Sequence, residues 1–207
     1  AMTVSRRSIL LGGAALALPG CDRMNASPAF RRVLGLAEQG NFAVQRSLAD
    51  RMALAKEFSP DQRSPVFRAN GTRRPTGAAY TAHEASGFAD WRVKIDGLVA
   101  RPQALSLAEI RAMPSRTQIT RHDCVEGWSA IGEWTGVPLK LLLDLAGLAR
   151  DARYIVFHCA DVMTGGKPYY ESIDLIDAFH PQTILAWNLN GKPLPVGNGA
   201  PLRLRVE

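Results

Sequence analysis

Residues 117–142 read TQITRHDCVEGWSAIGEWTGVPLKLL, and the rest of the chain is organised around them. The alternation from Thr117 predicts a strand that ends at Cys124. Gly127 and Trp128 turn the chain directly afterwards, so the thiol is expected to point out of the framework and not into a core. That is a ligand's position. Pro138 stands at the start of the apolar run Leu139–Leu145 and suits the first turn of a helix, which would lie on the sheet and support the cysteine turn.

With 207 residues the chain can bury one sizeable core. Its 46% hydrophobic and 21% charged residues are those of an ordinary globular protein. The net charge of +6 does not make it a nucleic-acid binder, because the basic residues are scattered and no aromatic-interleaved basic block occurs. A basic pocket for a phosphorylated cofactor accounts for part of the excess equally well. The three cysteines form no C-x-x-C pair, which argues against a disulfide framework.

R-H-D-C-V-E-G-W-S, then W-T-G-V-P-L and an apolar helix, resembles the molybdenum-binding segment of the sulfite oxidase family of molybdopterin-dependent oxidoreductases. Within that family the C-V-E-x-W-S wording is most similar to periplasmic methionine sulfoxide reductase catalytic subunits. The resemblance implies an α+β fold, a sulfite-oxidase-type molybdopterin-binding domain with mixed sheets and short helices. It also implies Mo-molybdopterin as the cofactor, with the Cys124 thiolate as the protein ligand on the metal. The reaction would be two-electron oxygen-atom transfer, either sulfoxide reduction or sulfite oxidation.

The remaining site residues follow from the same resemblance. Ser64–Gly71 is a loop with an Asn-Gly turn, similar to a pterin-contacting F-x-R-N segment, so Asn70 is a cofactor-binding candidate and Arg68 a secondary one. Asn198-Gly199-Ala200-Pro201-Leu202-Arg203-Leu204 matches an N/H-G-A-P-x-R-L pattern in which Asn198 and Arg203 bind the cofactor. A guanidinium suits the cofactor's terminal phosphate because its fork donates two parallel bonds. Cys159 ends the apolar run Arg153–Cys159 at a position where relatives place a cofactor-bonding Thr, and a packed core cysteine is the alternative. Glu126 is the catalytic candidate for ordering water or moving protons, and the Trp128 indole would wall the pocket.

Elsewhere, Trp91–Val99 alternates as a strand and Ser106-x-x-Glu109 opens a short helix with capping-box spacing. Residues 30–58 carry apolar residues at helical spacing, interrupted near Gly40-Asn41, which predicts two helical pieces. The domain plan is a signal at 1–21, a linker and helical extension at 22–63, and the cofactor domain at 64–207. Family members continue with a G-x-K segment that closes the pocket, so the expectation is a domain truncated at its C-terminus.

Ser5-Arg6-Arg7-Ser8 before a short apolar stretch is a twin-arginine pattern and implies Tat export to the periplasm. Leu18-Pro19-Gly20-Cys21 is similar to a lipoprotein site, with conventional cleavage beside an incidental cysteine as the alternative. Lipidation of Cys21 would be the route to a membrane. No heme-attachment C-x-x-C-H occurs, so electrons would be exchanged with a separate electron-transfer protein, a membrane heme protein being the type expected. The substrate would be a small molecule or methionine-sulfoxide-type compound. Two rival readings stand beside this one. A zinc site could be built from His122, Cys124, His158 and Cys159, or the same fold could serve as a non-catalytic binding module.

Overall fold

The computed structural model describes residues 22, 24–48, 50, 52–163 and 165–207. The twin-arginine stretch and Cys21 lie outside the described residues. The chain divides into two compact units between Ala53 and Leu54. In the first, helix α1 (Pro28–Leu48) is a single 21-residue element with no buried residue. It runs unbroken through Gly40-Asn41 where two pieces were expected, because an interior glycine weakens a helix without ending it.

The second unit begins earlier than the sequence pattern indicates. Glu57 bridges Thr120, and the Phe58 N–H donates to Ile119 O at 2.9 Å, so residues 54–63 are tied to its sheet. Helix α2 (Ala78–Ala85) comes next. Strands β1 (Arg92–Ile95) and β2 (Gln103–Ser106) pair as an antiparallel hairpin. The predicted strand 91–99 is cut short because Gly97, at φ +85, turns the chain. Ser106 then caps α3 (Leu107–Ala112) through the reciprocal bonds of a capping box, as the spacing indicates.

Strands β3 (Arg116–Asp123) and β4 (Ser129–Pro138) form the hairpin that carries Cys124 at its tip. Pro138 closes β4 and stands as N-cap of α4 (Leu139–Ala146), one position before its predicted place inside the helix. Leu139, Leu142 and Leu143 bury one face of α4 in a cluster with Ile110, Val137 and Leu185, and Ala146 is buried on the same helix. Truncating a fully buried leucine such as Leu142 to alanine would cost ~2–5 kcal/mol.

Strands β5 (Tyr154–Val162) and β6 (Pro168–Asp174) make a separate antiparallel pair. Asp174 caps the short helix α5 (Leu175–Ala178). Strand β7 (Ile184–Leu189) pairs β4 along one edge, and β8 (Lys192–Pro193) and β9 (Arg203–Arg205) share its other edge. The α+β architecture is as expected. Every described strand pair is antiparallel, so the mixture is one of sheets with short helices and not of strand directions.

A second buried cluster of Trp134, Ile184, Ala186, Leu189 and Leu194, with Phe67 packed on it, lies directly under the cysteine hairpin. Gly136 makes the close approach of β4 to β7 possible. A Cβ there would sit 2.2 Å from Leu185 O, inside any real contact.

Candidate functional site

The site is built on the tip of the β3–β4 hairpin. Asp123 and Ser129 are its last register pair, and the Cys124 N–H donates to Trp128 O while the Gly127 N–H donates to Cys124 O, both at 2.9 Å. Gly127 takes φ +83, a conformation that a side chain would strain. The tight turn therefore leaves Cys124 half-buried with a free thiol. Asn70, 54 positions earlier, reaches over it, and its Nδ2 donates to Cys124 Sγ at 3.0 Å. Across the turn the Trp128 indole donates to Glu126 Oε2 at 3.0 Å, which fixes that otherwise exposed carboxylate.

Beneath the tip lies an aromatic floor. The Phe67 ring sits 5.1 Å from Trp134, 5.9 Å from His122 and 6.3 Å from Trp128. Gly132 leaves the room, since a Cβ there would meet the Phe67 ring at 2.8 Å. Arg203 and Arg205, two apart on β9 and hence on one face, both stack over Trp134, at 5.2 and 4.7 Å from the ring centroid. Their settings differ. Arg205 pairs with Glu207 at 2.8 Å, the two side chains only 5% and 3% exposed. It also bonds His122 Nδ1 at 3.1 Å. A guanidinium only donates, so that ring nitrogen accepts and the imidazole proton resides on Nε2. Burial, then the Arg205 and Arg203 charges, hold the His122 pKa below its ordinary value.

Arg203 has no carboxylate partner among the described residues; its Nη1 donates to Asn198 O at 3.1 Å. Burial, then the neighbouring Arg205, pulls its pKa down to about 10, while Glu207 and Cys124 act in the opposite sense. Gly199 (φ +107) opens the chain between Asn198 and Arg203, and a Cβ there would press on the Arg203 side chain at 3.2 Å. Asn198 is itself buried and donates to Arg68 O at 3.4 Å. The Tyr80 hydroxyl ties this loop from outside by donating to Ala200 O at 2.6 Å. A cavity of about 700 Å³ opens beside the tip, lined by Phe67, Arg68, Arg73, Glu126, Trp128 and Asn198; Asn70, Cys124 and Arg203 are not among its lining residues.

Contacts join Asn70 to Cys124, Glu126 to Trp128, and Asn198 to both Arg203 and the Arg68 carbonyl, with the aromatic floor linking Trp128 to Arg203 through Phe67 and Trp134. They do not join Cys159 to this group. Its thiol meets Phe157 O at 3.7 Å on its own strand. Burial, followed by the Asp161 and Glu171 carboxylates, pushes its pKa up. The zinc reading is corrected: among the described residues no three His, Cys, Asp or Glu side chains form a metal-ligand group. His158 is exposed and Cys159 half-buried on alternate faces of β5, and β3 belongs to another sheet. The sequence reading gave no role to Phe67, Arg73, Trp134 or Arg205. For Arg205 a signal existed, the two-residue period that puts it on the face of Arg203.

The donor set fits the cofactor expected from the resemblance. A free thiol accommodates a soft metal, and a desolvated guanidinium without a carboxylate accommodates a phosphate.

Known proteins give the same answer. Residues 80–207 match the family model described as oxidoreductase molybdopterin binding domain. A chain of Azospira oryzae, provisionally named protein-methionine-sulfoxide reductase subunit YedZ1, is 38% identical over 97% of this chain and 72% of its own length. The protein-methionine-sulfoxide reductase catalytic subunit MsrP of Xanthomonas axonopodis pv. citri is 44% identical over 126 residues, 56% of this chain and 39% of the relative. Among solved structures, the sulfane dehydrogenase SoxCD from Paracoccus pantotrophus shares the fold with a TM-score of 0.52 and 24% identity. That match covers 57% of this chain and 34% of SoxCD.

Proposed function

This chain belongs to the oxidoreductase molybdopterin-binding domain family, and on that premise we propose that it is an exported, molybdenum-dependent reductase of methionine-sulfoxide-type substrates. Both named reductase relatives support the direction. The observation that carries the site assignment is the half-buried Cys124 thiol at the hairpin tip, held by the Asn70 amide, beside an aromatic floor on which Arg203 is stacked without a carboxylate partner among the described residues.

When bound, the molybdenum cofactor would supply the two electrons that reduce the sulfoxide. The protein supplies the rest. Cys124 would hold the metal through its thiolate, and the Asn70 amide donates to that sulfur and orients it. Asn198 and Arg203 would hold the pterin and its phosphate. Phe67 and Trp128 exclude water from one side of the cavity. Glu126, anchored through Oε2 by the indole, keeps Oε1 free to carry protons inward. Reduction of a sulfoxide to a thioether consumes two electrons and two protons and releases water, so such a carrier is required. Electrons come from a separate electron-transfer protein, for which a membrane heme protein is the expected type. The Arg6-Arg7 pattern accounts for export to the periplasm.

The test is metal analysis of full-length protein made in a molybdopterin-producing host, followed by two assays. Stoichiometric molybdenum and viologen-driven reduction of N-acetylmethionine sulfoxide are expected. A protein without molybdenum would defeat the site assignment, and faster sulfite oxidation than sulfoxide reduction would reverse the direction.

A further inference from the structure

Helix α1 carries an unassigned surface. At about 100° per residue, Phe30, Val33, Ala37, Val44 and Leu48 fall along one stripe, interrupted by Asn41, with Leu34 and Leu36 at its margins. Arg31, Arg32, Glu38, Gln39, Gln45 and Arg46 take the opposite side. On the apolar side Val33 is 60% exposed, Leu36 67% and Leu48 82%. Phe42 alone interrupts the polar side, and the Arg46 guanidinium lies over its ring at 5.2 Å.

Such a helix is not held by packing, because nothing in it is buried, and its interior Gly35 and Gly40 weaken it further. Helices of this kind draw their stability from an apolar surface. The polar side states which surface. It carries three arginines against one glutamate, and arginine forks match phosphate oxygens. Among the described residues no helix is long and apolar enough to cross a membrane. We propose that α1 lies in the plane of an anionic lipid bilayer, its apolar stripe among the acyl chains and its arginines at the headgroup phosphates. This anchor is independent of the cofactor site. It would keep the oxidoreductase unit close to a membrane-bound electron donor.

The experiment uses the full chain carrying Cys21→Ser, so that no acyl group contributes. It is sedimented with vesicles of phosphatidylethanolamine and phosphatidylglycerol, or of phosphatidylcholine alone. Salt-sensitive binding to the anionic vesicles is expected, with a gain of helical circular dichroism and little binding to phosphatidylcholine. Arg31→Gln and Arg32→Gln should each weaken binding about fivefold. Val33→Asp with Val44→Asp should abolish it and leave viologen-linked activity unchanged. The proposal fails if the chain does not sediment with the anionic vesicles, binds phosphatidylcholine equally well, or retains binding after both aspartate substitutions. It also fails if cross-links show α1 seated on residues 54–207 whether or not vesicles are present.

Discussion

Cys124 stands at the tip of one antiparallel hairpin and Cys159 within a strand of another, and the two thiols have different surroundings. Cys124 stands where β3 leaves a five-stranded sheet, with the Asn70 amide donating to its sulfur. Cys159 lies inside the two-stranded β5–β6 pair, with a backbone carbonyl and two carboxylates for neighbours. A thiolate is the metal ligand, so the raised pKa of Cys159 makes it the poorer candidate. Both sulfurs are half-buried; burial leads in raising the Cys159 pKa, and its two carboxylate neighbours add to it.

The sharpest way to break this contrast is to exchange each sulfur for oxygen. Cys124→Ser should lower molybdenum content and turnover by more than about 100-fold, beyond the usual range for losing a ligand's outer support. Cys159→Ser should change either by no more than a few-fold. Equal losses would make the two positions equivalent.

Next in size is the cation. Arg203→Ala removes charged hydrogen bonds of ~1.5–3 kcal/mol, so pterin retention, read by fluorescence after denaturing release, should fall roughly 10- to 100-fold. Arg203→Lys should recover part of it.

A smaller effect tests the carboxylates. At pH 8–9 the raised pKa of Cys159 keeps less of it as thiolate, and Asp161→Asn with Glu171→Gln should speed its alkylation several-fold. An unchanged rate would remove charge as the cause.

The smallest effect concerns Asp161 itself, whose carboxyl is pushed up by burial. A carboxyl with a folded pKa above its unfolded value favours folding while protonated. That contribution is full below the unfolded value and is lost as pH rises through the folded one. Asp161→Asn should therefore flatten stability against pH across that window, by less than about 1 kcal/mol, as read from denaturation midpoints.

Much of this was legible in local sequence. The Cys124 strand, the Ser106 capping box and the Asn198–Arg203 loop are each decided by residues within a few positions of one another. Three things were not. Helix α1 was split because Gly40-Asn41 reads as a breaker, yet the flanking residues sustain the turn. The Arg205–His122 bond spans 83 positions, and no local period encodes such a contact. The separation of Cys159 from the cofactor group depends on which sheet β5 joins, and an apolar run does not specify that.

The close approach at Gly136 has a consequence for how faithfully the site is assembled. Only hydrogen fits where β4 meets Leu185, and the pairing slips by a bulge between Thr135 and Gly136. Sliding β4 one place in either direction would drive Thr135 or Val137 into that gap, so misaligned pairings are sterically penalised from the outset. Trp134, two residues upstream, is thereby held in phase, and so is the platform on which both arginines rest.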